Sequence, residues 1–160
     1  MKQSVTFTSI DLSVLVNSKI GTLRDEKLED INFAEAWLNQ IFNQSPEQAS
    51  LKKKSCEVCS SQSYRELHHV AGRKHDFRTI TACKQCHDEL TESQKTWDVR
   101  WYKPNQPENL RLAFFLLGLH DTLLLKSKKT VNSIYEELAE KLRQDIATLL
   151  TRGSREAISG

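Results

Sequence analysis

The chain has 160 residues, of which 38% are hydrophobic and 28% charged, and its formal net charge is +2. This length fits one compact domain or a small domain with helical additions, and it leaves no room for a second large catalytic domain. The composition is that of an ordinary folded protein rather than a disordered or fibrous one, and the small net charge does not by itself indicate a nucleic-acid partner.

The amino-terminal sequence MKQSVTFTSIDLSVLVNSKIG has spaced apolar residues but no continuous apolar core after a basic start, so we expect no signal peptide. The alternation of polar and apolar residues in SVTFTSI predicts a short strand or an irregular arm for residues 1 to 21. The longest apolar run, residues 110 to 125, contains Arg111, His120 and Asp121 and is shorter than a membrane span, so it predicts a buried helix and no membrane partner. Together these features predict a cytoplasmic protein in which the cysteines stay reduced.

Helical spacing dominates the chain outside its centre. From Thr22 onward, apolar residues recur every three, four or seven positions and predict an amphipathic helix that ends before NQSPEQAS. The polar segment from 43 to 55 contains a proline and three lysines, which favours a linker. After a proline-containing loop, residues 108 to 126 predict a strongly apolar helix. Residues 133 to 153 predict another, with Ser133 and Glu136 spaced as a capping box.

These elements predict an α+β fold that is mostly helical, in which a small central metal module is flanked by N-terminal and C-terminal α-helices. The expected regions are a helical region from 1 to 50, the metal module from 51 to 106 and a helical hairpin from 107 to 160. The C-terminal helices are rich in apolar residues for a chain of this size. We therefore expect them to pack against a second copy of the chain or another protein partner.

The sequence CEVCSSQSYRELHHVAGRKHDFRTITACKQCH, residues 56 to 87, contains all four cysteines and four of the five histidines. The pairs Cys56-x-x-Cys59 and Cys83-x-x-Cys86 predict two tight turns, each with two thiolates on one side of a cation. Four thiolates match the tetrahedral preference of a structural zinc site; an iron–sulfur centre has the same ligands, but no redox partner motif accompanies them. A closed four-thiolate site has no open coordination position, so we expect it to stabilise the fold.

The histidines need a separate explanation. His68 and His69 lie between the cysteine pairs in YRELHHV, which predicts a short strand whose neighbouring side chains point to opposite faces. His87 directly follows the last cysteine, where CHDELTESQKTWDVRWY predicts a helix. A zinc ion that holds both cysteine pairs brings the start of this helix close to the strand.

Basic residues also concentrate around the cysteine and histidine cluster. Residues 52 to 84 contain eight basic and three acidic side chains, a local net charge of +5, so the remainder of the chain carries −3. Such a patch favours a polyanionic partner, because phosphate contacts dominate nucleic-acid affinity. The alternative for KKK alone is a solvated linker.

The pieces CEVC, LHHV and CKQCH, in this order and at this spacing, resemble the HNH endonucleases over about 32 residues, a fifth of the chain. The resemblance implies a ββα-metal (HNH) module, in which two antiparallel strands and a helix are often laced by two zinc knuckles. It also implies an enzyme, an endonuclease that hydrolyses DNA phosphodiester bonds. Its cofactors are then a structural Zn²⁺ and a catalytic divalent ion such as Mg²⁺ or Mn²⁺.

The same resemblance assigns roles to the three histidines: His68 and His87 bind the catalytic ion, and His69 is the general base that activates water. The chemistry of the residue types agrees, since a neutral imidazole accepts a proton and a bound cation stabilises charge that grows on the phosphate. Two positions depart from the family. Arg78 stands where an Asn is usual, and Thr91 stands where many members have a His or Asn.

Two further expectations concern the surroundings of these histidines. His75 and Asp76 lie nearby in the sequence and are candidates for the missing metal ligand, a nitrogen or an oxygen. The candidate contacts to DNA phosphates are four basic residues, Arg65, Arg73, Lys74 and Arg78. The alternative to a nuclease is a non-catalytic, zinc-stabilised module derived from the HNH fold, which binds nucleic acid or another protein and in which the histidine pair only packs beside the zinc.

Overall fold

Helices dominate this protein, for which a computed structural model describes the backbone of residues 9 to 158 and the side chains of residues 14 and 17 to 152. This part of the chain is α+β and mostly helical, which confirms the predicted fold class at that level. In chain order its elements are α1 (Ser9–Phe42), α2 (Pro46–Ala49), β1 (Arg65–His69), β2 (Thr79–Cys83), α3 (Lys84–Lys95), a 3-10 turn (Val99–Tyr102), α4 (Glu108–Thr130) and α5 (Ser133–Ile158).

The first helix is longer than its sequence pattern predicts. Residues 1 to 21 were expected to form a strand or an irregular arm, but α1 begins at Ser9, so this prediction is wrong for residues 9 to 21; residues 1 to 8 lie outside the described residues. No proline interrupts residues 9 to 42, and Gly21 alone costs a helix only about 1 kcal/mol. The predicted end before NQSPEQAS is confirmed, because α1 ends at Phe42.

The chain divides into two compact units, residues 1 to 37 and residues 38 to 160. The described part of the first unit is α1 from residue 9 to residue 37, with exposed apolar side chains at Val14, Leu23 and Leu28; residues 38 to 42 of α1 belong to the second unit. The second unit contains both strands and the helices α2 to α5. All candidate functional residues therefore lie in the second unit.

The two strands form an antiparallel pair whose register matches Arg65 with Cys83 and His69 with Thr79. Side chains, rather than a third strand, bind the other edge of β2. Gln44 exchanges two hydrogen bonds with the backbone of Thr79, at 2.8 and 2.9 Å. The Glu57 carboxylate accepts the N–H of Thr81 at 2.5 Å, and the Glu57 N–H donates to the Thr81 carbonyl at 2.8 Å. These contacts satisfy backbone groups that an edge strand otherwise leaves to water.

Both C-terminal helices predicted from apolar spacing are present, and both extend beyond their predicted ends. Val131, in the left-handed conformation at φ 52°, ends α4, and the Asn132 side chain accepts the N–H of Ile134 at 3.1 Å. Asn132 thus caps α5, a role that the sequence pattern gave to Ser133. None of the helices in the described residues has the length and hydropathy required to cross a membrane.

A glycine sets the distance between α4 and the end of β1. A Cβ atom on Gly118 would lie 1.9 Å from the carbonyl oxygen of Val70 and 2.8 Å from a methyl group of the same residue. Val70 and the neighbouring core side chains Phe114 and Leu119 are almost fully buried. Only glycine allows the helix backbone to approach the sheet this closely.

We expect Gly118→Ala to destabilise the protein by about 1 to 3 kcal/mol or more, because the added methyl group meets backbone that cannot turn away. The matched control is Gly21→Ala, since no atom lies within 4 Å of a Cβ placed there. That change is expected to stabilise α1 by up to about 1 kcal/mol. Urea unfolding followed by circular dichroism measures both, and unchanged stability of Gly118→Ala would contradict the close approach of α4 to Val70.

Candidate metal centre and histidine cluster

The four cysteines converge from two parts of the fold. Cys56 and Cys59 lie in the turn before β1, Cys83 ends β2, and Cys86 lies in the first turn of α3. All four sulfur atoms lie within 4.8 Å of one another, and none is in a disulfide. The Sγ atoms of Cys59 and Cys83 are 3.7 Å apart. A tetrahedral Zn²⁺ with Zn–S bonds of about 2.3 Å separates its sulfurs by about 3.8 Å, so the cluster fits a structural metal such as zinc.

The backbone around the first cysteine pair is shaped for thiolates. The turn closes with a hydrogen bond from the Ser60 N–H to the Cys56 carbonyl at 2.9 Å, and Ser60 takes the left-handed conformation at φ 65°. The Cys59 N–H points at the Cys56 Sγ, 3.4 Å away. Burial raises the pKa of Cys56, but hydrogen bonds from the backbone of Cys59, Cys83 and Val58 outweigh it, so the net pKa is lowered. The lowered pKa of Cys56 therefore favours the thiolate form, which binds metals.

The second pair sits where a helix begins. Cys83 is the N-cap residue of α3, and Cys86 is buried in its first turn. Burial strongly raises the pKa of Cys86, with the neighbouring cysteines adding to the effect. The partial positive charge of a helix N-terminus favours thiolates, but a cation is required to hold all four as anions in so small a volume.

A second cluster lies on the same scaffold and contains two of the predicted histidines. The rings of His68, on β1, and His87, in the first turn of α3, meet edge to face with centroids 5.3 Å apart. Burial, together with the charges of His87 and His69, lowers the pKa of His68 to about 3. The imidazole of His68 is therefore neutral at pH 7, which is the form that binds metals.

Carboxylates adjoin His87 in this cluster. Glu66 Oε2 lies 3.3 Å from His87 Nδ1, and Asp88 Oδ1 lies 3.7 Å from the same atom. The ligating atoms of Glu66, His87 and Asp88 all lie within 4.8 Å of one another, which would allow a shared cation. Glu66 was missed as a candidate in the sequence. A period of two along β1 places it on the same face as His68, and this spacing was the signal that identifies it.

His69 faces a different environment. Strand alternation directs its side chain to the face of β1 opposite Glu66 and His68. Burial lowers its pKa, the charge of Arg73 lowers it further, and Asp76 opposes them by raising it. His69 is half-buried, and its backbone carbonyl accepts hydrogen bonds from the Gln94 side chain and from the Gly72 N–H. The structure thus brings His68 and His87 together and leaves His69 half-buried, close enough for its charge to act on His68.

The two other candidate ligands are engaged elsewhere. Asp76 Oδ1 accepts the backbone N–H of Arg78 at 2.9 Å and lies 3.4 Å from its guanidinium Nε. The ring of His75 is buried against Phe114 with centroids 4.8 Å apart, and its Nε2 lies 2.6 Å from the carbonyl oxygen of Trp101. Both residues therefore contribute to the packing of the loop between β1 and β2.

The four basic residues predicted to contact phosphate differ in exposure and in the contacts that their charged groups make within the protein. Arg65 donates to the backbone carbonyls of the preceding loop, and the Arg78 guanidinium lies over the Phe115 ring, 4.6 Å from its centroid. Arg73 and Lys74 are exposed on the loop after β1, although Lys74 also donates to the Tyr102 carbonyl at 2.9 Å. Of the four, the loop pair beside His69 is the better placed for a phosphate.

Comparison with known proteins adds no homologue: no protein-family model, no curated protein and no solved structure matches this chain. The functional interpretation therefore depends on the geometry of the four cysteines and of the histidine cluster. The likeness of CEVC, LHHV and CKQCH to HNH endonucleases stays a prediction.

Proposed function

We propose that this protein is an HNH-type endonuclease that hydrolyses DNA phosphodiester bonds with one catalytic divalent ion, beside a structural zinc. The observation that carries the proposal is the contact between His68 and His87, whose ring centroids are 5.3 Å apart, with the Glu66 carboxylate 3.3 Å from His87 Nδ1. The ligating atoms of Glu66, His87 and Asp88 lie within 4.8 Å of one another, and the ring of His68 packs against that of His87, so nitrogen and oxygen ligands meet at this strand–helix junction. The four cysteines support this junction from the same elements.

The chemistry of these side chains assigns them separate roles. His68 and His87, with the carboxylates of Glu66 and Asp88, would hold a divalent ion such as Mg²⁺ or Mn²⁺, whereas Asp76 is engaged by Arg78. When bound, such an ion supplies Lewis-acid stabilisation of charge on the phosphate. His69, kept neutral at pH 7 by its lowered pKa, accepts a proton from the attacking water at a ring nitrogen. The water oxygen then bonds to phosphorus while the bond to the leaving oxygen breaks.

Substrate contacts are assigned to the loop that follows His69. Arg73 and Lys74 are exposed there, and side chains of this type bind DNA phosphates without reading base sequence. Arg65 instead donates to carbonyls of the loop before β1, and Arg78 packs on Phe115. Specificity for a DNA sequence then has to come from other surfaces or from a partner.

Two observations favour the alternative, a non-catalytic zinc-stabilised module that binds nucleic acid or protein. Arg78 occupies the position where the family usually has an Asn, and its guanidinium packs on Phe115 and beside Asp76. The helical hairpin also exposes Leu112 and Leu124, which is consistent with a second copy or another protein covering it. This alternative predicts DNA or protein binding without cleavage.

A plasmid-nicking assay on the purified protein separates the two functions. We expect supercoiled DNA to be converted to the nicked form with Mg²⁺ or Mn²⁺ and to stay intact with EDTA, because the reaction needs the divalent ion. DNA binding measured in the same buffers is the control for an intact interface. Folded, zinc-containing protein that binds DNA but leaves it uncut with every divalent ion would contradict the nuclease and favour the alternative.

A further inference from the structure

A buried lysine connects the C-terminal helices to the first cysteine pair. Lys126, on α4, is only 7% exposed, and its ammonium group donates a hydrogen bond to the backbone carbonyl of Glu57. Glu57 lies between Cys56 and Cys59, so this bond fixes the turn that presents their sulfurs. The same ammonium group lies over the Tyr135 ring of α5, 5.3 Å from its centroid. A cation from the helical hairpin thus ends beside the metal centre.

The position of this charge needs an explanation, because a lysine removed from water is costly unless an anion compensates it. Burial lowers the pKa of Lys126, and the negative charges of Glu57 and of three cysteines, Cys56, Cys59 and Cys86, oppose that shift. Four thiolates around one Zn²⁺ leave two negative charges uncompensated in a largely buried site. A desolvated cation close to this desolvated dianion therefore stabilises both charges.

Glu57 contributes one negative charge beside Lys126, but this charge is shared with Lys53. The Glu57 carboxylate lies 2.6 Å from Lys53 Nζ and also accepts the Thr81 N–H. The pKa of Lys129 is raised chiefly by its bond to Glu89, 2.8 Å away, and less by Cys86 and Cys59. This pair is partly exposed, so water screens its charges. Lys126 is the buried cation among these three lysines.

We propose that Lys126 stabilises the metal-bound state of the four-cysteine centre, both by compensating the thiolate charge and by positioning the first cysteine pair through the Glu57 carbonyl. Outer groups of this kind tune metal affinity without touching the metal. The proposal rests on the metal centre and is independent of nuclease activity. It makes the packing of α4 and α5 sensitive to whether the centre holds its metal.

Zinc affinity is the direct test. Competition with a chromophoric zinc chelator is expected to show affinity about 10- to 100-fold weaker in Lys126→Met than in the wild type. Lys128→Met is the matched control, because Lys128 is exposed on the same helix, and it is expected to leave the affinity unchanged. Lys126→Arg keeps the charge and is expected to lie closer to the wild type than Lys126→Met. Equal affinity of the wild type and Lys126→Met would overturn the proposal.

A second comparison separates charge compensation from simple packing. Cys59→His keeps a tetrahedral ligand set but removes one negative charge. If Lys126 acts through charge, Lys126→Met weakens zinc binding by a smaller factor in the Cys59→His protein than in the wild type. The same factor in both backgrounds would indicate a packing role and overturn the charge proposal. Wild-type protein that binds no zinc would instead overturn the metal centre itself, so the two failures are distinguishable.

Discussion

Loss of zinc from the four-cysteine centre is expected to unfold the region around β1, β2 and α3. This region has only two short strands, and a two-stranded hairpin is at best marginally stable by itself. The centre ties the turn at Cys56 and Cys59 to the start of α3 at Cys83 and Cys86. Structural zinc sites bind with about 10 to 16 kcal/mol, comparable to the whole stability of a domain, about 5 to 15 kcal/mol.

The variant that tests this is Cys83→Ser, because Cys83 is both the end of β2 and the N-cap residue of α3. We expect it to lose zinc, as measured by elemental analysis, and to lower the melting temperature by more than about 10 °C. Gln85→Ala is the matched control, since Gln85 is exposed between the two ligands of the same turn. An unchanged unfolding curve after complete removal of zinc from the wild type would show that the centre does not stabilise the fold.

Features set by local spacing could be predicted from the sequence. The apolar repeat after residue 108 predicted α4, because the packing of a helix requires that periodicity. YRELHHV predicted β1, and the two Cys-x-x-Cys pairs predicted a cluster of four thiolates. Each signal is a short spacing visible in the sequence, and for the cysteines the common ligand chemistry of thiolates links two such spacings that lie far apart in the chain.

Features set by distant contacts could not be predicted in the same way. The bond from Lys126 to the Glu57 carbonyl joins residues 69 positions apart, and nothing in the α4 sequence distinguishes this lysine from a solvated one. Arg65 and Arg78 counted as phosphate contacts by their charge, yet their guanidinium groups bind carbonyls and an aromatic ring within the protein. Arginine serves both purposes, so composition alone does not separate them.

The cysteine centre and the histidine cluster are built on the same elements, the β1–β2 pair and the start of α3. His87 directly follows Cys86, and Glu66 and His68 lie on the strand paired with the one that ends at Cys83. A change in either cluster can therefore disturb the other through α3 or the sheet. Zinc content has to be measured for every histidine variant before its activity is interpreted.

For the proposed nuclease, we expect His87→Ala to weaken the binding of the catalytic ion. Removal of this imidazole leaves the cluster with His68 and Glu66, so affinity for the catalytic ion should fall. We expect nicking to be strongly reduced at low Mg²⁺ or Mn²⁺ and partly restored at high concentration. A titration of the divalent ion against the nicking rate measures this, and a wild-type metal dependence would argue against His87 as a ligand.

His69→Ala is expected to have a different signature. Loss of a general base lowers the rate by about 100- to 10,000-fold, and no concentration of divalent ion restores it, because the missing function is proton acceptance. His69 lies half-exposed at the end of β1 with a lowered pKa, so removing its ring should leave the zinc content and the fold unchanged. His120→Ala is the matched control, since that histidine lies on α4 beside Asp121. Full nicking by His69→Ala would remove His69 from the mechanism.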